Sequence, residues 1–201
     1  MALDHFSVSF ENNCVPSWEG LIVAELGNTV RLTDKPNENK EYPKARDFYL
    51  LNGAKLVATI DIYGKDSAIP IDLNEPIQIF HNTFDVVTDY GTLEHVTNQY
   101  QAFKNTHEIT KIGGIMIHVL PLINNWVNHC RWYYNINFAN KLAELCAYEK
   151  IELLETTHRG TRNFLAFAFK KTELDFISLE DFKQCEIHDS GQNFNMDNYV
   201  K

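Results

Sequence analysis

Phe84-Asp85-Val86-Val87-Thr88-Asp89-Tyr90-Gly91-Thr92-Leu93-Glu94-His95-Val96 is the stretch on which the fold turns. It opens as an apolar run, Phe84 to Thr88, with the length of a buried strand. It stops at a small polar turn, Asp89-Tyr90-Gly91-Thr92, and then enters a segment with helical spacing. Open α/β sheets bind their ligands just past the carboxyl ends of their strands. The stretch therefore predicts a parallel sheet and marks which end of it carries chemistry.

Working upstream, Leu21-Ile22-Val23-Ala24-Glu25-Leu26-Gly27-Asn28 reads as a buried parallel strand ending in a turn. Residues 33–43 form a polar loop bounded by prolines, either a lid over the site or a surface insertion. Phe48, Leu50 and Leu51 lie near helical spacing, and Asn52-Gly53 supplies a helix stop. Lys55 to Asp61 is a β-branched run ending in an acid, where Rossmann-like folds accept hydrogen bonds from ribose hydroxyls. The interval from Asp61 to Asp72 is too short for a crossover helix plus a strand, so one of the two is reduced. Residues 1–19 read as an N-terminal arm; Phe6, Val8 and Phe10 alternate with serines, as a short strand would.

Downstream, Thr97 to Thr110 has helical spacing through Tyr100, Phe103, His107 and Ile109. Lys111 to Pro121 is an apolar strand entered through Gly113-Gly114. Residues 122–133 are rich in aromatic and hydrogen-bonding groups and follow a carboxyl-terminal strand end, so they should line the substrate side. Asn137 to Tyr148 is an amphipathic helix. Lys150 to Leu154 and Asn163 to Phe169 read as strands flanking Arg159-Gly160, and residues 171–201 as an acidic, partly ordered tail.

The pattern F-D-x-V-x-x-x-G-x-x-E-H-V at Phe84–Val96 resembles the fourth-strand motif of the class I S-adenosylmethionine-dependent methyltransferases. Glu25-Leu26-Gly27 is similar to the opening of that family's E/D-x-G-x-G-x-G turn, although Asn28-Thr29-Val30-Arg31 follows in place of the next two glycines. Lys111-Ile112-Gly113-Gly114 looks like the turn before its fifth strand. The resemblance covers residues 20–170 and implies a Rossmann-like three-layer sandwich, with a mostly parallel sheet and a C-terminal antiparallel strand pair. It implies S-adenosyl-L-methionine as cofactor and direct methyl transfer to a small-molecule acceptor. By analogy Glu25, Gly27, Asp61 and Asp72 hold the cofactor, and Asp89, Tyr90 and Gly91 sit beside its methionine part. His95, His118 and His129 are candidate bases, since an unperturbed imidazole titrates near neutrality. The alternative is a methyltransferase-like module that binds or regulates without turnover.

Bulk properties narrow the field. The 201 residues suffice for one α/β domain. A formal net charge of −9 without a basic run argues against a nucleic-acid surface. Cys14, Cys130, Cys146 and Cys185 form no C-x-x-C pair and read as free thiols. With no secretory signal and no run long enough to span a membrane, a cytoplasmic protein is expected. G-x-G-x-x-G and G-x-S-x-G are both absent, which disfavours nicotinamide and serine-hydrolase chemistry. Glu94, His95, His118 and His129 are metal-ligand types, but their spacing forms no ligand pair on one helix face, so no metal is expected.

Overall fold

A computed structural model describes residues 2–32, 43–126, 128–158 and 162–192. Its main sheet holds seven strands: β1 (Ile22–Leu26), β2 (Leu56–Asp61), β3 (Ile69–Pro70), β4 (Phe84–Tyr90), β5 (Thr110–Pro121), β6 (Glu149–His158) and β7 (Arg162–Lys170). They lie in the order β3-β2-β1-β4-β5-β7-β6. The first five are mutually parallel, and β7 runs antiparallel to both β5 and β6. The chain order reverses between β1 and β4, so a topological switch point opens above their carboxyl ends.

Each inner strand is mostly apolar because both faces are covered. The pleat divides its residues. Val86 and Tyr90, Ile117 and Val119, and Ala166 and Ala168 face one layer, with Phe10, Trp18 and Tyr49. Val87, Met116 and Leu120, and Leu165, Phe167 and Phe169 face the other, with Phe103, Phe138, Leu142 and Phe182. The first layer is built by α1 (His5–Cys14) and α2 (Ala45–Leu51); the second by α3 (Gln99–Ile109), α4 (Ile136–Leu145) and the short α5 (Leu179–Phe182). This is the three-layer sandwich that the sequence implied. Between β2 and β4, where one of helix and strand was expected to be reduced, both are. A single 3-10 turn at Lys65–Ser67 stands where a crossover helix would, and β3 has two residues.

The N-terminal residues depart from expectation. They form a helix, not a strand, because Asp4 caps it by accepting from the Ser7 amide at 2.8 Å and the Ser7 hydroxyl at 2.9 Å. Ser7, Phe10, Glu11 and Cys14 are its buried residues, a helical spacing that the Phe6-Val8-Phe10 alternation concealed. Ala2 and Leu3 pair in parallel with Val30 and Arg31, laying the N-terminal segment against the turn that follows β1.

The first part of the expected tail packs onto the domain. Lys171 is buried, and its ammonium donates to Asn82 Oδ1 at 2.9 Å, His107 O at 2.8 Å and Thr110 O at 2.8 Å. Phe182 and Cys185 enter the second core layer, and His188–Asp189 pairs with Trp132–Tyr133. A local charge pattern cannot register such long-range burial. The four cysteines are buried free thiols. Among the described residues no helix is long and apolar enough to cross a membrane. Residues 33–42, most of the polar loop read as a lid or a surface insertion, and the Arg159-Gly160 turn lie outside the described residues.

Candidate active site

The carboxyl ends of β1, β2 and β4 form a crest tied together by side-chain hydrogen bonds. Gly27 takes a left-handed φ of +83°, and its amide donates to Ile60 O at 2.7 Å. The Asn28 amide donates to Asp61 Oδ2 at 3.2 Å, while Asp61 Oδ1 accepts from the Tyr63 amide at 2.9 Å. Asp61 thus joins the first turn to the second strand, and its half-buried carboxylate keeps lone pairs for a further donor. Asp72 is exposed and closes an Asx turn by accepting from the Asn74 amide at 2.9 Å. Asn74 Oδ1 in turn accepts from the Asn98 amide at 2.9 Å, fixing that turn to the start of α3.

Glu25, by contrast, is turned inward. It is 1% exposed and accepts from the Thr29 amide at 3.0 Å and the Thr59 hydroxyl at 2.8 Å. Burial raises its pKa to about 7. The N–H groups of Gly27, Asn28 and Thr29 are therefore all engaged by the protein. This turn therefore offers no row of free donors.

At the end of β4, Gly91 has φ +84° and turns the chain into a 3-10 segment, Leu93–His95. Asp89 is fully buried. Its Oδ1 accepts from the Thr92 amide at 2.9 Å and the Leu93 amide at 3.3 Å, and its Oδ2 lies 3.0 Å from His118 Nδ1. A carboxylate only accepts, so this contact sets the ring proton on Nδ1. His118 lies within β5, which runs on to Pro121, and the ring is enclosed between Phe167 at 4.8 Å and Phe103 at 5.4 Å. Tyr90 points into the opposite core layer, beside Glu11 and Tyr49. The side chains of Glu25, Asp89, Tyr90 and His118 thus shape the crest from beneath, and Asp61, Gly27 and Gly91 stand at the strand ends that form it.

His95 and His129 behave differently from His118. The loop after β5 is bent at Trp126 (φ +55°) and Asn128 (φ +63°), and is held by Trp126 Nε1 donating to Asn163 O at 2.9 Å and Tyr133 OH donating to Trp126 O at 2.8 Å. This brings His129 against His95, with ring centroids 5.3 Å apart. Both Nε2 atoms converge on one oxygen, Glu94 Oε1, at 3.8 Å from His95 and 3.9 Å from His129. Burial pushes the Glu94 pKa well above its ordinary value, and the nearby Asp89 charge adds to it. Burial and then His129 push His95 down to about 3, so its imidazole is neutral. The three residues come together across 34 positions of chain. The Glu-His pair sits in the β4 motif, but nothing in the sequence shows that the aromatic loop folds back onto it.

No protein-family model matches the chain, and no curated protein matches it in sequence. Solved structures do match in fold. Burkholderia thailandensis 1,6-didemethyltoxoflavin-N1-methyltransferase, with bound 1,6-didemethyltoxoflavin and S-adenosylhomocysteine, superposes with a TM-score of 0.52 at 13% identity, over 84% of this chain and 86% of that one. Haemonchus contortus phosphoethanolamine N-methyltransferase 2, in complex with S-adenosyl-L-methionine, gives 0.57 at 12% identity, over 83% of this chain and 52% of that one. The [4+2]-cyclase SpnF gives 0.54 at 10% identity, over 84% and 80%. At these identities the likeness establishes the fold, the Rossmann-like sandwich of class I S-adenosylmethionine-dependent methyltransferases.

Proposed function

We propose that this protein binds S-adenosyl-L-methionine above β1, β2 and β4 and transfers its methyl group directly to a small-molecule acceptor. The reading is supported by the placing of Gly27, Asp61 and Gly91 at the carboxyl ends of β1, β2 and β4, at the switch point of a β3-β2-β1-β4-β5-β7-β6 sheet. Asp61 accepts the ribose hydroxyls, and the Asp72-Leu73-Asn74 turn meets the adenine amino group. Gly27 and Gly91 let the cofactor lie close to the backbone, where a Cβ would stand in its way. Glu25 and Asp89 hold the two turns in place from below. Direct displacement asks the enzyme chiefly for alignment. The acceptor enters beside Glu94, His95, Trp126 and His129. Methyl-transferring neighbours of the same fold, crystallised with this cofactor or its product, support the reading.

A second reading is a module of the same fold that binds without transferring a methyl group. The engaged amides of the β1 turn favour it, as does the presence of a cyclase among the fold neighbours. Calorimetric titration with S-adenosylmethionine and S-adenosylhomocysteine separates the possibilities. We expect micromolar binding that weakens at least tenfold in Asp61→Ala, the equivalent of about 1.4 kcal/mol. Absence of binding to either compound would refute the cofactor assignment. Binding without turnover on any acceptor would support the second reading.

A further inference from the structure

We infer that Glu94, His95 and His129 form a binding site for a divalent transition-metal ion at the acceptor side of the crest. Their ligand atoms all lie within 4.8 Å of one another. The two Nε2–Oε1 separations, 3.8 Å and 3.9 Å, are too long for hydrogen bonds. They are close to the spacing of a shared coordination sphere, since ligands at about 2.1 Å in a tetrahedron stand about 3.4 Å apart. Small side-chain rotations close the difference.

A second observation points the same way. Glu94 is 2% exposed, and its Oε2 has no hydrogen-bond partner among the described residues. A buried carboxyl oxygen of this kind is normally satisfied by a donor or a cation. The polar groups that converge on Glu94 Oε1 are imidazole nitrogens, which suit a metal ion.

The donor set decides the class of ion. Two imidazole nitrogens and one carboxylate oxygen suit Zn²⁺, Fe²⁺, Co²⁺ or Mn²⁺ better than Ca²⁺ or Mg²⁺, which prefer all-oxygen sites. Three protein ligands leave coordination positions open. The partly exposed His129 sets those positions toward solvent, where an acceptor oxygen can bind and be acidified. Only this last role rests on the proposed methyl transfer; the ion site does not.

The test uses chelator-stripped full-length protein titrated with Co²⁺ in the absence of S-adenosylmethionine, so its result is independent of cofactor binding. The ring of Trp126 lies 5.0 Å from that of His129, which makes its fluorescence a local reporter. We expect visible Co²⁺ absorption bands and quenching of Trp126 fluorescence, both displaced by Zn²⁺ and the quenching absent in Trp126→Phe. His129→Ala and Glu94→Gln should each weaken Co²⁺ binding at least tenfold. His129→Ala alters a partly exposed loop side chain, so it remains informative should Glu94→Gln fail to fold. Equal Co²⁺ affinity in the wild type and a normally melting His129→Ala protein, or no uptake by the wild type, would overturn the site.

Discussion

Glu11 and Glu25 show how much of this protein's behaviour is set by single buried groups. Burial holds the pKa of each near 7 instead of 4.5. The Tyr49 and Tyr90 hydroxyls lie beside Glu11, yet neither completes a hydrogen bond of ordinary geometry with it. For both carboxyls the folded state binds protons more tightly than the unfolded chain. Their contribution to stability is thus complete below about pH 4.5 and falls away as pH rises through 7. The difference amounts to about 3 kcal/mol per carboxyl. Glu11→Gln removes its share, so in urea titrations the variant should gain on the wild type by about 1–3 kcal/mol between pH 5 and pH 8. Parallel stability profiles for the two proteins would contradict this. The positions of Glu25, Asp61 and Asp89 at strand ends were legible in the sequence. The direction each carboxylate faces was not, because Thr29, Thr59 and His118 reach them from other segments.

At the scale of elements, the entry into β5 depends on two adjacent glycines with different reasons for being glycine. Gly113 has φ +78° and open space where a Cβ would stand. A Cβ on Gly114 would meet Lys111 O and Thr110 Cγ2 at 2.9 Å and Asp85 O at 3.1 Å. These neighbours are largely backbone and cannot yield. Gly114→Ala should therefore cost roughly 1–3 kcal/mol through overpacking, and Gly113→Ala about 1 kcal/mol through its left-handed backbone alone. Denaturant midpoints of the two variants measure the difference; equal midpoints would show that β5 accommodates the clash. Gly113 and Gly114, expected as a turn before the strand, lie inside β5; β1, β2, β4 and helices α2 to α4 were readable from the sequence, because each carries its own period and stop signal. α1 was not. Its buried face includes Ser7 and Glu11, so an apolar count sees only the alternating Phe6, Val8 and Phe10.

The whole molecule is closed by its C-terminal segment. Lys171 bridges the loop before β4 to the end of α3 and the start of β5, while Phe182 and Cys185 complete the second core layer. A chain ending at residue 192 should melt cooperatively, like the full protein. One ending at residue 170 removes a fully satisfied buried ammonium and core side chains, and should show no cooperative thermal transition by circular dichroism. A normal melt of the shorter chain would make this segment an accessory. The sequence by itself determined the main strands and the helices α2 to α4, since these follow from apolar period and turn residues read locally. Tertiary structure alone decided which polar groups face the crest and which support it. It also decided that His129 meets Glu94 and His95, a contact made only when the β5 loop packs on the end of β4, and chain spacing carries no record of such a meeting.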